Sequence, residues 1–206
     1  MASKSSISSK ILKKAKKELR SEIEALMSAM SPEDRITQSS DVYNQLINHE
    51  LFQKAKRVSI FLSMPEELNT IPIVKKIFEQ EKKCFIPRII FGSQRMDMVL
   101  MSTAEEIDAL PVGKYGLRQP ATVETEAIES GGLDLMIMPG VAFDKEGHRL
   151  GHGMGYYDVY LKRYKEHFGH YPNTIAVAFK QQIVQSVPVG PNDVTINQVL
   201  HQENQN

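Results

Sequence analysis

The chain has one cysteine, Cys84, among 206 residues, so no disulfide can close within it, and a reducing compartment suits it. Cys84 lies in the apolar run Cys-Phe-Ile-Pro, a setting for core filler and not for a nucleophile. Net charge is also missing: 25 Lys and Arg balance 25 Asp and Glu, whereas a dedicated nucleic-acid binder would be basic overall. No apolar run approaches the ~20 residues that cross a bilayer, and the N-terminus has no apolar signal region. A cytoplasmic protein without membrane or nucleic-acid partners is therefore expected, although the Ser- and Lys-rich start weakly resembles an organelle transit peptide. Internal repeats and low-complexity linkers are absent. So are several catalytic motifs: there is no His-Glu-x-x-His, no Gly-x-Ser-x-Gly and no Gly-Lys-Ser/Thr, which leaves zinc-protease, serine-hydrolase and P-loop chemistry without support. His167 and His170 have no ligand partners at zinc spacing and read as surface histidines.

What is present is an alternation of strand and helix patterns. Apolar runs at residues 58–62, 83–88, 96–101, 133–138 and 174–179 read as strands, with a closing strand at about 194–196. An amphipathic helix is expected over about residues 9–30, with Leu12, Ala15, Leu19, Ile23, Leu26 and Met30 on one face and Lys13, Lys16, Lys17, Arg20 and Glu24 on the other. Ser31-Pro32-Glu33-Asp34 restarts a helix, with Ser as N-cap, Pro at the first position and acids in the first turn. That helix should turn Ile36, Val42, Leu46 and Ile47 inward. Another helix is expected over residues 71–80, and Thr103-Ala-Glu-Glu106 reads as a capping box. Residues 111–125 form the longest irregular connection, the kind of segment that often serves as a lid. The pattern predicts one domain over residues 1–206, a three-layer α/β/α unit with a mostly parallel sheet. Ligands in such folds bind outside the carboxyl ends of the strands.

One stretch stands out: after the strand at 133–138 and Pro139-Gly140 comes Arg149-Leu-Gly-His-Gly-Met-Gly-Tyr-Tyr-Asp158, followed by a helical pattern. Gly151, Gly153 and Gly155 alternate, which fails the dinucleotide fingerprint because Tyr156 stands at its third glycine. Alternating glycines still let a backbone curl round a phosphate at a helix N-terminus. Arg149 and His152 can add side-chain donors, and Asp158 could hold a metal beside the phosphate. Read from the glycines alone, a flexible surface turn before a helix stays open as the plainer account. Tyr156 and Tyr157 are equally readable as core aromatics, one of them free to stack on a ligand.

The decapeptide at 149–158 closely resembles the signature of the 5-formyltetrahydrofolate cyclo-ligases, and the resemblance runs from the basic N-terminal helix to Asp193. It implies an enzyme that converts 5-formyltetrahydrofolate and ATP to 5,10-methenyltetrahydrofolate, ADP and phosphate through a phosphorylated formyl oxygen, an imino-phosphate. On this resemblance Lys16, Arg149, His152 and Asp158 are catalytic, and Lys16, Arg20 and residues Arg149, Leu150, Gly151, His152, Gly153, Met154, Gly155, Tyr156 and Tyr157 bind ATP. Arg20, Leu62, Met64, Glu67, Arg88, Tyr115 and Tyr157 would surround the folate, and Asp158 with Asp193 would hold Mg²⁺. A monomer is expected, and Asp158→Ala should abolish turnover with the fold intact. The sequence departs from the family pattern at Asn69, Met154, Asn192 and Asn197. A non-catalytic folate- or nucleotide-binding relative and a different small-molecule kinase are the rival readings.

Overall fold

The computed structural model of the chain describes residues 4–113 and 116–203. Its helices are α1 (Lys4–Ser28), α2 (Pro32–Asn48), α3 (Glu50–Lys54), α4 (Ile71–Glu79), α5 (Glu105–Ala109) and α6 (Tyr156–Phe168). Its strands are β1 (Arg57–Ile60), β2 (Lys83–Ile89), β3 (Met96–Met101), β4 (Leu135–Met138), β5 (Ala142–Phe143), β6 (Arg149–Leu150), β7 (Asn173–Val177) and β8 (Gln198–Leu200).

Six strands form one sheet in the order β3-β2-β1-β4-β7-β8. All neighbours are parallel except β2 and β3. The expected strict alternation of strand and helix breaks there, because β2 and β3 are joined by a short turn at residues 90–95, and a connection that short can only return antiparallel. The period-2 alternation of side chains divides the core into two layers. Leu135 and Ile137 of β4 and Ile175 and Val177 of β7 face α2, α3 and α4, around Leu46, Phe52, Ile73 and Ile77. Met136 and Met138, with Ala176, face α6 through Tyr160, Leu161 and Tyr164. This is the three-layer arrangement the sequence predicts. Strand order reverses between β1 and β4, with α4 covering one face and α6 the other, so this seam is the topological switch point.

Four local expectations change. The closing strand lies at Gln198–Leu200 and not at 194–196, because the Asn197 side chain precedes it: Asn197 Oδ1 accepts from Thr174 N at 2.8 Å and from Thr174 Oγ1 at 3.0 Å. That amide occupies the start of β7 as a strand would. Ile36 is 70% exposed, because the buried face of α2 runs through Gln38, Val42 and Leu46. The capping box forms at Thr103 on one side only: Glu106 N donates to Thr103 Oγ1 as expected, while the Glu106 carboxylate reaches one residue further back and accepts from Ser102 N. The Ser31 cap is as expected, its hydroxyl accepting from Asp34 N at 3.1 Å. Helix α1 ends at Ser28, two residues before Met30. Its Ile23 is buried with Ala142, Leu150 and Val187, so α1 lies over the β5–β6 hairpin.

Candidate active site at the glycine loop

The hairpin sets up the loop. Strand β6 pairs antiparallel with β5, so Arg149 and Leu150, expected to be loop residues, are instead strand residues and buried. The turn between the strands is built on Asp144. Its Oδ1 accepts from Glu146 N and His148 N, and its Oδ2 from Val187 N and the His148 ring. Those hydrogen bonds hold its carboxyl below the usual carboxylate range against the opposing effect of burial. Among the described residues Asp144, Glu146 and His148 form the one group of three close ligand-type side chains. Asp144's oxygens are already committed to the turn, which makes the group a structural feature.

Beyond β6 the chain runs through Gly153 at φ +109° and Gly155 at φ +72°, backbone positions that favour glycine. Gly155 is the N-cap of α6, and no side chain caps that helix. The first N–H groups of a thirteen-residue helix therefore point toward the loop without a side-chain partner. A Cβ on Gly151 would stand 3.0 Å from the Arg149 guanidinium.

Two distant segments, α1 and residues 190–194, converge on this loop and the residues that flank it. Arg20 of α1 donates to the Gly151 carbonyl at 2.8 Å. Lys16, one turn earlier, pairs with Asp193 at 2.5 Å, and Gly190 N donates to the same carboxylate oxygen. Arg149 is 8% exposed; its Nη2 donates to Asp158 at 3.1 Å, and its Nε has no hydrogen-bond partner among the described residues. Its guanidinium lies 5.4 Å from the Tyr157 ring. The second oxygen of Asp158 accepts from Val194 N at 3.1 Å, so Asp158 and Asp193 flank a single backbone link. His152 presents an open outer edge. Partial burial of its ring, with the Arg20 and Arg149 guanidiniums facing it, holds its pKa below the usual 6.5. Lys16, Arg20 and Arg149 against Asp158 and Asp193 leave an excess of positive charge beside the loop.

On the β1 side of the seam, Glu67 accepts from Met64 N at 2.9 Å. Partial burial raises its carboxyl above the usual range, the Met64 amide opposes this, and Glu66 adds to it. Burial pushes the Tyr157 phenol up; the Arg149 guanidinium opposes this, and Glu67, close by, adds to it. Leu62 packs against the core on the α2 side. Arg88 is placed differently: its guanidinium donates to the carbonyls of Pro120 and Ala121, fixing the irregular segment to β2. Tyr115 lies outside the described residues. Met154 is 54% exposed at the loop.

Three departures from the family pattern have local partners. Asn69 Oδ1 accepts from Ile71 N, as a carboxylate there would. Asn192 Oδ1 accepts from Lys162 of α6 at 2.7 Å, and Asn197 holds β7. Lys16 with Asp193 and Asp158 with Val194 were beyond sequence reasoning, since 177 residues separate the first pair. A hollow of about 560 Å³ elsewhere, lined by Lys54, Lys56, Arg57, Lys82 and Lys83 among others, sits at the amino ends of β1 and β2. It contains none of the residues above.

A mostly parallel sheet, helices on both faces and an uncapped helix start at the switch point place the molecule among the α/β proteins that receive ligands beyond strand carboxyl ends. Within that class, the chain belongs to the 5-formyltetrahydrofolate cyclo-ligase family, whose model matches residues 12–202. It is 46% identical over 191 residues to the 5-formyltetrahydrofolate cyclo-ligase of Mus musculus, covering 92% of this chain and 94% of that one. It is 36% identical to a probable 5-formyltetrahydrofolate cyclo-ligase of Caenorhabditis elegans, with 93% and 94% covered. The solution structure of Aquifex aeolicus 5,10-methenyltetrahydrofolate synthetase superposes with a TM-score of 0.71 at 28% identity, covering 89% of this chain and 88% of that one. Among the described residues no helix is long and apolar enough to cross a membrane.

Proposed function

We propose that the chain closes 5-formyltetrahydrofolate to 5,10-methenyltetrahydrofolate, with ATP converted to ADP and phosphate, and that it works as one cytoplasmic, monomeric domain. The observation that carries this is the convergence of Lys16, Arg20, Arg149, Asp158 and Asp193 on one glycine loop beside Glu67. The reaction needs such a place. The formyl oxygen must leave when N10 attacks the formyl carbon, and oxide is a poor leaving group. Transfer of the γ-phosphoryl group to that oxygen gives an imino-phosphate; N10 then forms its bond to carbon and gives up its proton to solvent, the C–O bond breaks, and phosphate departs with the electron pair. No enzyme nucleophile is required. The demand is for alignment and for charge to meet the phosphoryl oxygens.

The residues divide accordingly. The glycine backbone and the open start of α6 hold phosphate, as a helix N-terminus does. The Arg149 Nε has no partner and its guanidinium is buried, so an anion arriving at the loop would supply what that nitrogen lacks. Lys16 and Arg20 add charge-assisted donors, and His152, neutral before the nucleotide binds, can donate through a ring N–H. Met154 provides no cation, so these side chains carry the charge. Asp158 and Asp193 suit Mg²⁺: both are oxygen ligands on one side of the loop, and two carboxylates completed by phosphate and water are usual for this ion. Bound there, Mg²⁺ would neutralise phosphate oxygens. Lys16 and Arg149, now paired with those carboxylates, would then turn to the nucleotide. Glu67, Met64, Leu62 and Tyr157 line the folate side. Arg88, with both carbonyl contacts made, positions the neighbouring segment at Pro120 and Ala121.

The test is absorbance in the methenyl-folate band after mixing protein, Mg-ATP and 5-formyltetrahydrofolate, with ATP omitted as control. An ATP-dependent rise is expected. No rise with folate binding retained would instead support a non-catalytic binding relative.

A further inference from the structure

Helix α2 contributes none of the residues assigned above, yet its first turns carry two polar side chains on the inward side, the half-buried Arg35 and the buried Gln38. The Arg35 guanidinium is a single planar fork joined to three remote segments. Its Nη1 donates to the Glu66 carbonyl at 2.5 Å. Its Nη2 donates to the Met27 carbonyl in the last turn of α1. Its Cζ lies 5.6 Å from the ring centroid of Phe179, just beyond β7. One turn along, Gln38 Oε1 accepts from Lys180 N at 2.8 Å and its amide donates to Gln181. Gln182 completes the chain of contacts by donating to the Gly140 carbonyl beyond β4.

The contact with Glu66 matters most. The peptide between Glu66 and Glu67 is fixed at both ends: its carbonyl by Arg35, and its N–H by the Met64 carbonyl at 3.0 Å. The Glu67 carboxylate in turn accepts from Met64 N. The plane from which the Glu67 side chain springs is therefore set by Arg35. We propose that Arg35 is a positioning residue for Glu67, and through it a determinant of folate affinity, because its fork spans the Glu66 carbonyl, the end of α1 and the Phe179 ring. The proposal rests on the reading above that Glu67 meets the folate. Lysine cannot replace it: an ammonium is a point donor without the flat face that lies on an aromatic ring or the fork that serves two carbonyls at once. Arg35 reaches α1 at Met27, seven residues beyond Arg20, so its effect on the nucleotide side is smaller.

Calorimetric titration with 5-formyltetrahydrofolate in ATP-free buffer, on the full chain, tests this with R35K, E67Q and the double variant. R35K should weaken folate binding about tenfold, the size expected for losing a charge-assisted positioning contact. The folate KM should rise in parallel while the ATP KM moves less than about threefold. In the E67Q background R35K should change folate affinity less than about twofold, because residues acting as a unit are non-additive. R35Q, whose shorter amide reaches neither carbonyl bound by Nη1 and Nη2, should lose at least as much affinity as R35K and serves if R35K melts below assay temperature. Wild-type affinity in R35K, or the same tenfold loss in both backgrounds, overturns the proposal. A wild-type chain that binds folate but forms no methenyl product overturns the cyclo-ligase reading alone; one that binds no folate overturns both.

Discussion

Asp158 is where stability and catalysis are joined most tightly, and the structure changes what its removal should do. Sequence alone suggests that Asp158→Ala would stop turnover and leave the fold untouched. Its side chain, however, accepts from Arg149 Nη2 at 3.1 Å and from Val194 N at 3.1 Å. Arg149 is buried, and its Nε already lacks a partner. Alanine would leave a buried guanidinium with no carboxylate and free the turn that carries Asp193. Breaking a largely buried pair from one side costs about 3–5 kcal/mol, reduced here toward about 3 kcal/mol because Asp158 is 18% exposed and water can reach it. For a chain of this length that is a fall in Tm of about 10 °C. Asn is the informative comparison. One amide oxygen can accept from Val194 or from Arg149 but not both, and the NH₂ group then faces a donor, so about 2 kcal/mol should be lost. Turnover should fall at least ~10³-fold in both variants, since neither offers a carboxylate to a metal or keeps the loop charge in place. Thermal melts in the absence of nucleotide, together with the methenyl absorbance assay, separate the two effects. Asp158→Ala melting within a degree of wild type would refute the stability argument, and near-normal kcat would refute the metal assignment.

Burial raises the Glu67 carboxyl, so the folded chain holds its proton more firmly than the unfolded one. The stability this group allows is complete at low pH and declines as pH rises through the folded value. Glu67→Gln should therefore melt higher than wild type at pH 7, with the difference closing as pH falls below the ordinary carboxylate range, while folate KM rises. His152 has the opposite sign: its folded value lies below 6.5, so stability is full above that pH and is lost as pH falls through the depressed value. In His152→Gln, Tm measured between pH 8 and pH 5 should drop less steeply than in wild type. Met154 is exposed at the loop, so Met154→Lys should lower the ATP KM about threefold through a solvent-screened charge and leave Tm unchanged; a rise in KM would count against phosphate at this loop.

The elements that were legible in the sequence are those whose signal is local. Ser31 with Pro32 and its acids announces the start of α2, the apolar run before Pro139 announces β4, and the alternating glycines announce the loop. What stayed hidden depends on partners far away. The β5–β6 hairpin has two residues per strand, too few for any period, and its polar turn reads as loop until Asp144 is seen closing it. Asn197 reads as one more polar residue after Val194-Thr-Ile196, yet its amide stands in for strand pairing at Thr174 and delays β8. Ile36 misleads because it shares the right spacing with nothing buried. The true face passes through Gln38, a polar residue at a core position, and that substitution of polar for apolar was the one sequence signal pointing to the brace formed by Arg35 and Gln38.

Gly147 shows how closely that hidden hairpin is fitted to the site. It has φ +81°, and a Cβ there would lie 2.3 Å from the Ile196 carbonyl oxygen. Ile196 N donates to the Gly147 carbonyl at 2.8 Å, so the hairpin turn and the segment after Asp193 are locked backbone to backbone. Alanine would have to adopt an unfavourable left-handed conformation and push that segment away, at a combined cost of about 3 kcal/mol. The displaced segment carries Val194, whose N–H holds Asp158, and Asp193, which holds Lys16. Gly147→Ala should thus lower Tm and also impair turnover at temperatures where the protein remains folded. Full activity in the folded variant would mean that the placement of Asp193 does not depend on this contact.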